Sequence, residues 1–248
     1  MRRLMLVPMM AFLACGGGES GEEAAGEGGA AAAAAPLGSG SISGMVMFTG
    51  TAPSNPALDM SDEPQCAERY EGEPTDPVVK VMGGHLANVY VRVSGGLPAG
   101  PYPQASEPTV IDQNGCLYQP RVVGVMTGQP LEIRNSDPLL HNIKAVPTEN
   151  RPFNISQPQA GMTTQRTFNT PEVMVPLECN VHGWMNAFVG VTDHPYFAVS
   201  GDDGMFTITG LPAGTYTLEA WHETLGTQTA EVTVQDGAAA SVEFTYSG

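Results

Sequence analysis

The stretch Glu178-Cys179-Asn180-Val181-His182-Gly183-Trp184-Met185, with Ser136-Asp137-Pro138-Leu139-Leu140-His141-Asn142 upstream of it, decides how the chain is read. Cys179, His182 and Met185 follow one another at three-residue steps, so one tight loop can aim a thiolate, an imidazole and a thioether at a single point. A loop that short cannot surround an ion, and a fourth donor has to arrive from elsewhere. His141 suits that role. It stands 38 positions before Cys179 and follows a turn signal, Asp137-Pro138, that ends the apolar strand pattern Leu131-Glu132-Ile133-Arg134. One thiolate, two imidazoles and a weakly held thioether accommodate copper in both oxidation states. A mononuclear copper centre held by His141, Cys179, His182 and Met185 is the leading expectation.

Taken singly, each donor has an ordinary explanation: Cys179 as a small buried hydrophobe or half a disulfide, Met185 as core filler, either histidine as a structural residue. Rival chemistries fit the set less well. Structural zinc prefers four cysteine or histidine ligands and gains nothing from a methionine. A binuclear copper centre needs a second cysteine in the loop. A Cys179–His141 nucleophile leaves His182 without a purpose. His222-Glu223 opens a zinc-protease pattern, but Gly226 stands where its second histidine belongs.

At these residues the chain resembles the cupredoxin family, small blue copper proteins of the plastocyanin and amicyanin type. The Cys-x-x-His-x-x-Met loop is similar to that of amicyanin; plastocyanin-type loops put more residues between the histidine and the methionine. The His141-Asn142 pair matches as well, and the resemblance implies that Asn142 ties the two ligand loops together, holding the ligands in place. Asn180 stands where the family usually has a hydroxyl residue, so the bonding between loops is expected to differ there. Trp184, with Pro138, Leu139 and Leu140, is expected to form an apolar docking patch around an exposed His182. The alternative is Trp184 packed inward as core.

From Gly40 onward, alternating or β-branched runs dominate, at 42–48, 78–82, 89–93, 122–125, 131–133, 173–175, 188–191, 206–208, 216–221, 230–234 and 241–246. Gly and Pro punctuate them and helical periodicity is nearly absent, which predicts an all-β protein. Its length suits two β modules. Asp203-Gly204-Met205-Phe206-Thr207-Ile208-Thr209-Gly210-Leu211-Pro212-Ala213-Gly214-Thr215-Tyr216 resembles the second half of a carboxypeptidase regulatory-like domain, a transthyretin-like β-sandwich. Ser41-Ile42-Ser43-Gly44-Met45-Val46-Met47-Phe48 resembles its opening strand. Together they predict a cupredoxin Greek-key β-sandwich, 106–193, inserted in or fused to a transthyretin-like sandwich formed by 41–105 and 194–248. His194 and His222 are expected to face each other across the joint or to make structural hydrogen bonds.

The amino terminus reads as an export signal, 1–14: Arg2 and Arg3, then an apolar stretch too short to span a bilayer. Phe12-Leu13-Ala14-Cys15 resembles a bacterial lipobox, with Phe12 where Leu is usual, which implies lipidation at Cys15. The Gly, Ala and Glu of 15–40 read as a flexible linker. The formal net charge is −16, and loss of Arg2 and Arg3 leaves −18. That charge excludes nucleic acid and anionic membrane surfaces and favours a basic redox partner such as a c-type cytochrome, or serves solubility alone. Cys66 and Cys116 remain unassigned, and in an oxidising compartment they are expected to form a disulfide; a second metal site there lacks donors at ligand spacing.

The expected whole is a lipid-anchored periplasmic electron carrier, with electrons passing through the exposed edge of His182, and not an enzyme, since one mononuclear centre has no catalytic metal beside it. The rivals are a copper storage or delivery protein and a non-redox structural or carbohydrate-facing envelope module.

Overall fold

Along Gly40–Thr49 every second side chain faces inward, Ile42, Val46 and Phe48 among them, and the backbone forms strand β1. The same period-two alternation builds Gly214–His222, which buries Tyr216, Leu218, Ala220 and His222. Such alternation is what a sheet with one face on a core requires. A computed structural model describes residues 34–248. The expected signal segment 1–14, the lipidated Cys15 and the linker as far as residue 33 lie outside the described residues. The linker's last residues are held fast, against expectation: Ala35 is buried in the core and donates its N–H to Pro101 O (2.9 Å), and Gly38 N–H bonds Gly210 O.

After β1 come the one-turn helix α1 (Pro64–Ala67) and strands β2 (Val81–Met82), β3 (His85–Leu86), β4 (Tyr90–Gly95), β5 (Thr109–Gln113), β6 (Tyr118–Gln119), β7 (Val122–Met126), β8 (Leu131–Asn135) and β9 (His141–Ala145). Then follow β10 (Phe153–Gln157), β11 (Met162–Arg166), β12 (Glu172–Glu178), β13 (Asn186–Thr192), β14 (Phe197–Val199), β15 (Met205–Leu211), β16 (Gly214–His222), β17 (Gly226–Val234) and β18 (Ala239–Ser247). Four sheets result. One has the order β15-β1-β3-β2, with β18 also on β1; its counterpart is β14-β4-β16-β17. The other two, β10-β9-β12-β13-β7 and β11-β8-β5-β6, use only strands from Thr109 to Thr192. In these last sheets β5 pairs β8 and β7 pairs β13 in parallel. Parallel neighbours cannot be joined by hairpins, so the chain crosses between sheets in Greek-key fashion. The protein is all-β, a cupredoxin-like sandwich set within a transthyretin-like one.

The two sandwiches share an aromatic seam. Tyr90 of β4 lays its ring across β7 and β13, where a Cβ on Gly190 would come within 2.4 Å of it and one on Gly124 within 2.9 Å. Only glycine leaves room for that ring. Phe188 meets Trp221 with ring centroids 5.2 Å apart. Beside them Arg121, just ahead of β7, bonds Glu223 through Nε and Nη2 (2.5 and 2.8 Å) and Asp76 through Nη1 (2.5 Å), all three largely buried.

His194 and His222 do not form a pair across this seam. His194 stacks on Tyr196 (6.0 Å) and accepts the Tyr196 N–H at Nδ1; His222 lies beside Tyr246 and accepts the Leu225 N–H. Burial first, and the Arg121 charge second, bring His222 down to about 4. An unfolded histidine binds a proton near pH 6.5, so the contribution of neutral His222 is complete above that value and disappears as pH falls toward 4. We expect up to about 3 kcal/mol to be lost over this window. Urea midpoints at pH 7 and pH 4.5 should fall further for the natural protein than for His222→Gln; equal falls would refute this.

Candidate metal centre

The loop between β12 and β13 closes on itself through its backbone. Cys179 N–H bonds Met185 O (3.2 Å), Met185 N–H bonds His182 O (2.9 Å), and His182 N–H points at Cys179 Sγ (3.3 Å). This winding turns the thiol and the His182 ring to the same side. His141 comes from the opposite flank as the first residue of β9; expected in a strand-ending loop, it begins a strand instead, since its Asn142-Ile143 continuation pairs with β10. His141 Nδ1 lies 2.8 Å from His182 Nδ1, Cys179 Sγ lies 4.0 Å from His182 Nδ1, and the donor atoms of the three residues all fall within 4.8 Å of one another. All three side chains are buried. Met185 is fully buried and packs in the same core cluster as Cys179.

The surrounding bonds fix these rings. Asp137 Oδ2 accepts from His141 Nε2 (2.9 Å), which leaves Nδ1 as the nitrogen turned toward the cluster. Asn142 Oδ1 accepts the N–H of Asn180 (2.7 Å) and lies 3.4 Å from Cys179 Sγ, joining the two donor segments. Asn180 acts through its backbone only, its side chain being exposed. Burial opposes a thiolate at Cys179, yet hydrogen bonds from His141, His182 and backbone N–H outweigh it and bring the thiol down to about 5. Burial likewise opposes charge on His141, but Asp137 and the thiolate raise it above the ordinary imidazole value. Burial pushes the Asp137 carboxyl up, while His141, the N–H groups of Cys116 and Gly115, and Arg69 hold it below the usual carboxylate range. A soft cation fits this donor set, and its entry would displace protons.

His182 has no exposed edge, contrary to the sequence reading. Only 1% of it reaches solvent. A strap of residues 57–75, closed at its base by an Ala57–Thr75 bridge, crosses over the ring. Cys66 and Cys116 are joined as a disulfide, and Cys66 Sγ sits 4.0 Å from His182 Nε2, with Glu63 Oε1 at 3.8 Å. The strap is pinned further by Arg69 to Asp137 (2.9 Å) and by Tyr70 Oη–H donating to Gly115 O (2.5 Å). The expected docking patch is split by it. Pro138 and Leu140 remain exposed, Leu140 at 45%, whereas Leu139 and Trp184 pack against the disulfide with Leu58 and Met60. Trp184 also donates its Nε1–H to Cys116 O (3.0 Å) and lies 5.1 Å from the His182 ring.

Asp137, Arg69 and Glu63 were missed in the sequence. Asp137 stands four residues before His141, a spacing that could have flagged it, but beside Pro138 it read as a turn residue only. Cys116 also lies near Asp137 and His141, yet a disulfide sulfur is no thiolate ligand.

Residues 185–247 match the family model of the carboxypeptidase regulatory-like domain, a match that begins inside the loop just described and covers β13 to β18. No curated protein matches the chain. Among solved structures, similarity is found to a Cu-containing nitrite reductase from Thermus scotoductus SA-01 (18% identity, TM-score 0.30), covering 40% of this chain and 25% of that one. A purple cupredoxin from Nitrosopumilus maritimus is 19% identical with TM-score 0.30, covering 34% of this chain and 99% of its own. An oxidised mutant of amicyanin is 18% identical with TM-score 0.31, covering 41% and 97%. The chain thus spans about a quarter of the nitrite reductase. The fold is defined by the four sheets themselves.

Proposed function

We propose that this is a type 1 copper protein that carries single electrons between partners of the cell envelope, and that it is not an enzyme. One observation carries the reading: the buried His141 Nδ1, His182 Nδ1 and Cys179 Sγ converge, with a thiol already inclined to ionise. Met185, buried in the same cluster as Cys179, would be the weakly held fourth donor. Copper held there would supply a one-electron couple. The chain's own part is to keep the donors still: Asn142 joins the two ligand segments, Asp137 fixes the His141 ring, and the strap holds His182 against Trp184. Donors that cannot move need little rearrangement when charge changes, as electron transfer requires. Storage or delivery is less well supported, since His182 lies beneath a covalently latched strap that would hinder exchange. Export, lipid attachment at Cys15 and a basic partner such as a c-type cytochrome complete the proposal, the last favoured by the acidic composition.

The test is the visible absorption of copper-loaded protein beside its Cys179→Ser variant. The natural protein should show an intense thiolate-to-copper band and a reversible one-electron potential, and the variant should lose the band. An unchanged spectrum removes Cys179 from the site.

A further inference from the structure

Asp137 is a fully buried carboxylate whose acceptor positions are all engaged. Oδ1 takes the Gly115 N–H (3.0 Å) and Arg69 Nη1 (2.9 Å); Oδ2 takes the Cys116 N–H (2.7 Å) and His141 Nε2 (2.9 Å). Three of those donors belong to the strap and to the segment it is latched to. The remaining one is the far side of the imidazole that faces the cluster. One carboxylate therefore joins the covering strap to a proposed ligand.

We propose that Asp137 is the positioning residue through which the strap sets the reduction potential of the metal. This rests on the copper reading above. A carboxylate bonded to Nε2–H makes the ring a stronger donor at Nδ1 and orients it. It also places negative charge beside the metal, which favours the more highly charged oxidised ion. Arg69, arriving from the strap, offsets part of that charge. The two residues push in opposite directions.

The experiment is voltammetry and visible spectroscopy of the copper-loaded full chain with Asp137→Asn and, separately, Arg69→Gln. Asp137→Asn should raise the potential, with the preference for oxidised over reduced copper falling on the order of tenfold, as loss of a ligand's outer partner does; tenfold is about 59 mV for a one-electron couple. Arg69→Gln should lower the potential, by less than about fivefold in the same ratio, because the pair is partly exposed and screened. A structural role alone would loosen the site in both variants and could not give opposite signs. An intact thiolate band with potentials unmoved, or moved in the same direction, overturns the inference while leaving the copper reading in place. No band in the natural protein overturns both. Asparagine would turn an N–H group toward existing donors and can unfold the chain; Arg69→Gln then decides alone, and a potential that is unchanged or higher overturns the inference.

Discussion

Arg121→Met should destabilise the protein by about 3–5 kcal/mol, the usual consequence of removing one member of a buried ion cluster. Arg121 is 7% exposed, and its partners Asp76 and Glu223 have side chains 13% and 9% exposed. Among the described residues the guanidinium is the only cation bonded to either carboxylate, and methionine would fill much of its volume while leaving both charges buried without a partner. The loss is specific to charge, so it is reversible by design: Arg121→Met with Asp76→Asn and Glu223→Gln should recover most of it, because neutral amides tolerate burial better than unpaired carboxylates. Urea unfolding followed by tryptophan fluorescence reads this directly, since Trp221 sits on the seam. If the single variant loses less than about 1 kcal/mol, the value of a surface pair, the cluster does not hold the sandwiches together.

Replacing both Cys66 and Cys116 with Ser should have an effect of similar size at the His182 end. The bridge closes a loop with a sequence separation of 50, for which chain entropy implies about 4 kcal/mol. The cores of the two sandwiches are distinct from the small cluster around the disulfide, so far-UV circular dichroism should keep its β signature while the unfolding midpoint falls. The strap would then be held by Arg69, Tyr70 and a few apolar contacts, and His182 should become reactive toward diethylpyrocarbonate, to which the natural protein's His182 is closed. A variant in which His182 stays protected would mean that packing, and not the covalent latch, covers the ring.

The two candidate donor segments were legible because their information is local. Cys179, His182 and Met185 are fixed by spacing within one loop, and His141 by a turn signal a few residues earlier; the structure brings the first, second and fourth of these side chains together. The two-module architecture was legible for a similar reason, since alternation in 42–48 and 216–221 repeats a pattern any half-buried sheet imposes. Polar edge strands were not. β10 and β11 read Phe-Asn-Ile-Ser-Gln and Met-Thr-Thr-Gln-Arg, lie at the margins of their sheets and bury little, so their partners define them more than their own side chains do. Least visible was the strap. Its residues 57–75 are a loop by composition, and what gives them meaning is a meeting with Asp137 and His182 that no spacing announces.

The first and last strands of the outer sandwich, β1 and β18, run side by side in parallel from Ser41 opposite Ala239 to Thr49 opposite Ser247. Synthesis proceeds from the amino end, so the inner sandwich has all its strands once Thr192 has emerged, whereas the outer one waits for β18. Until then one border of β1 offers open backbone groups to any passing chain. Shortening the carboxyl end by a single strand would therefore leave a folded interior inside an unfinished shell.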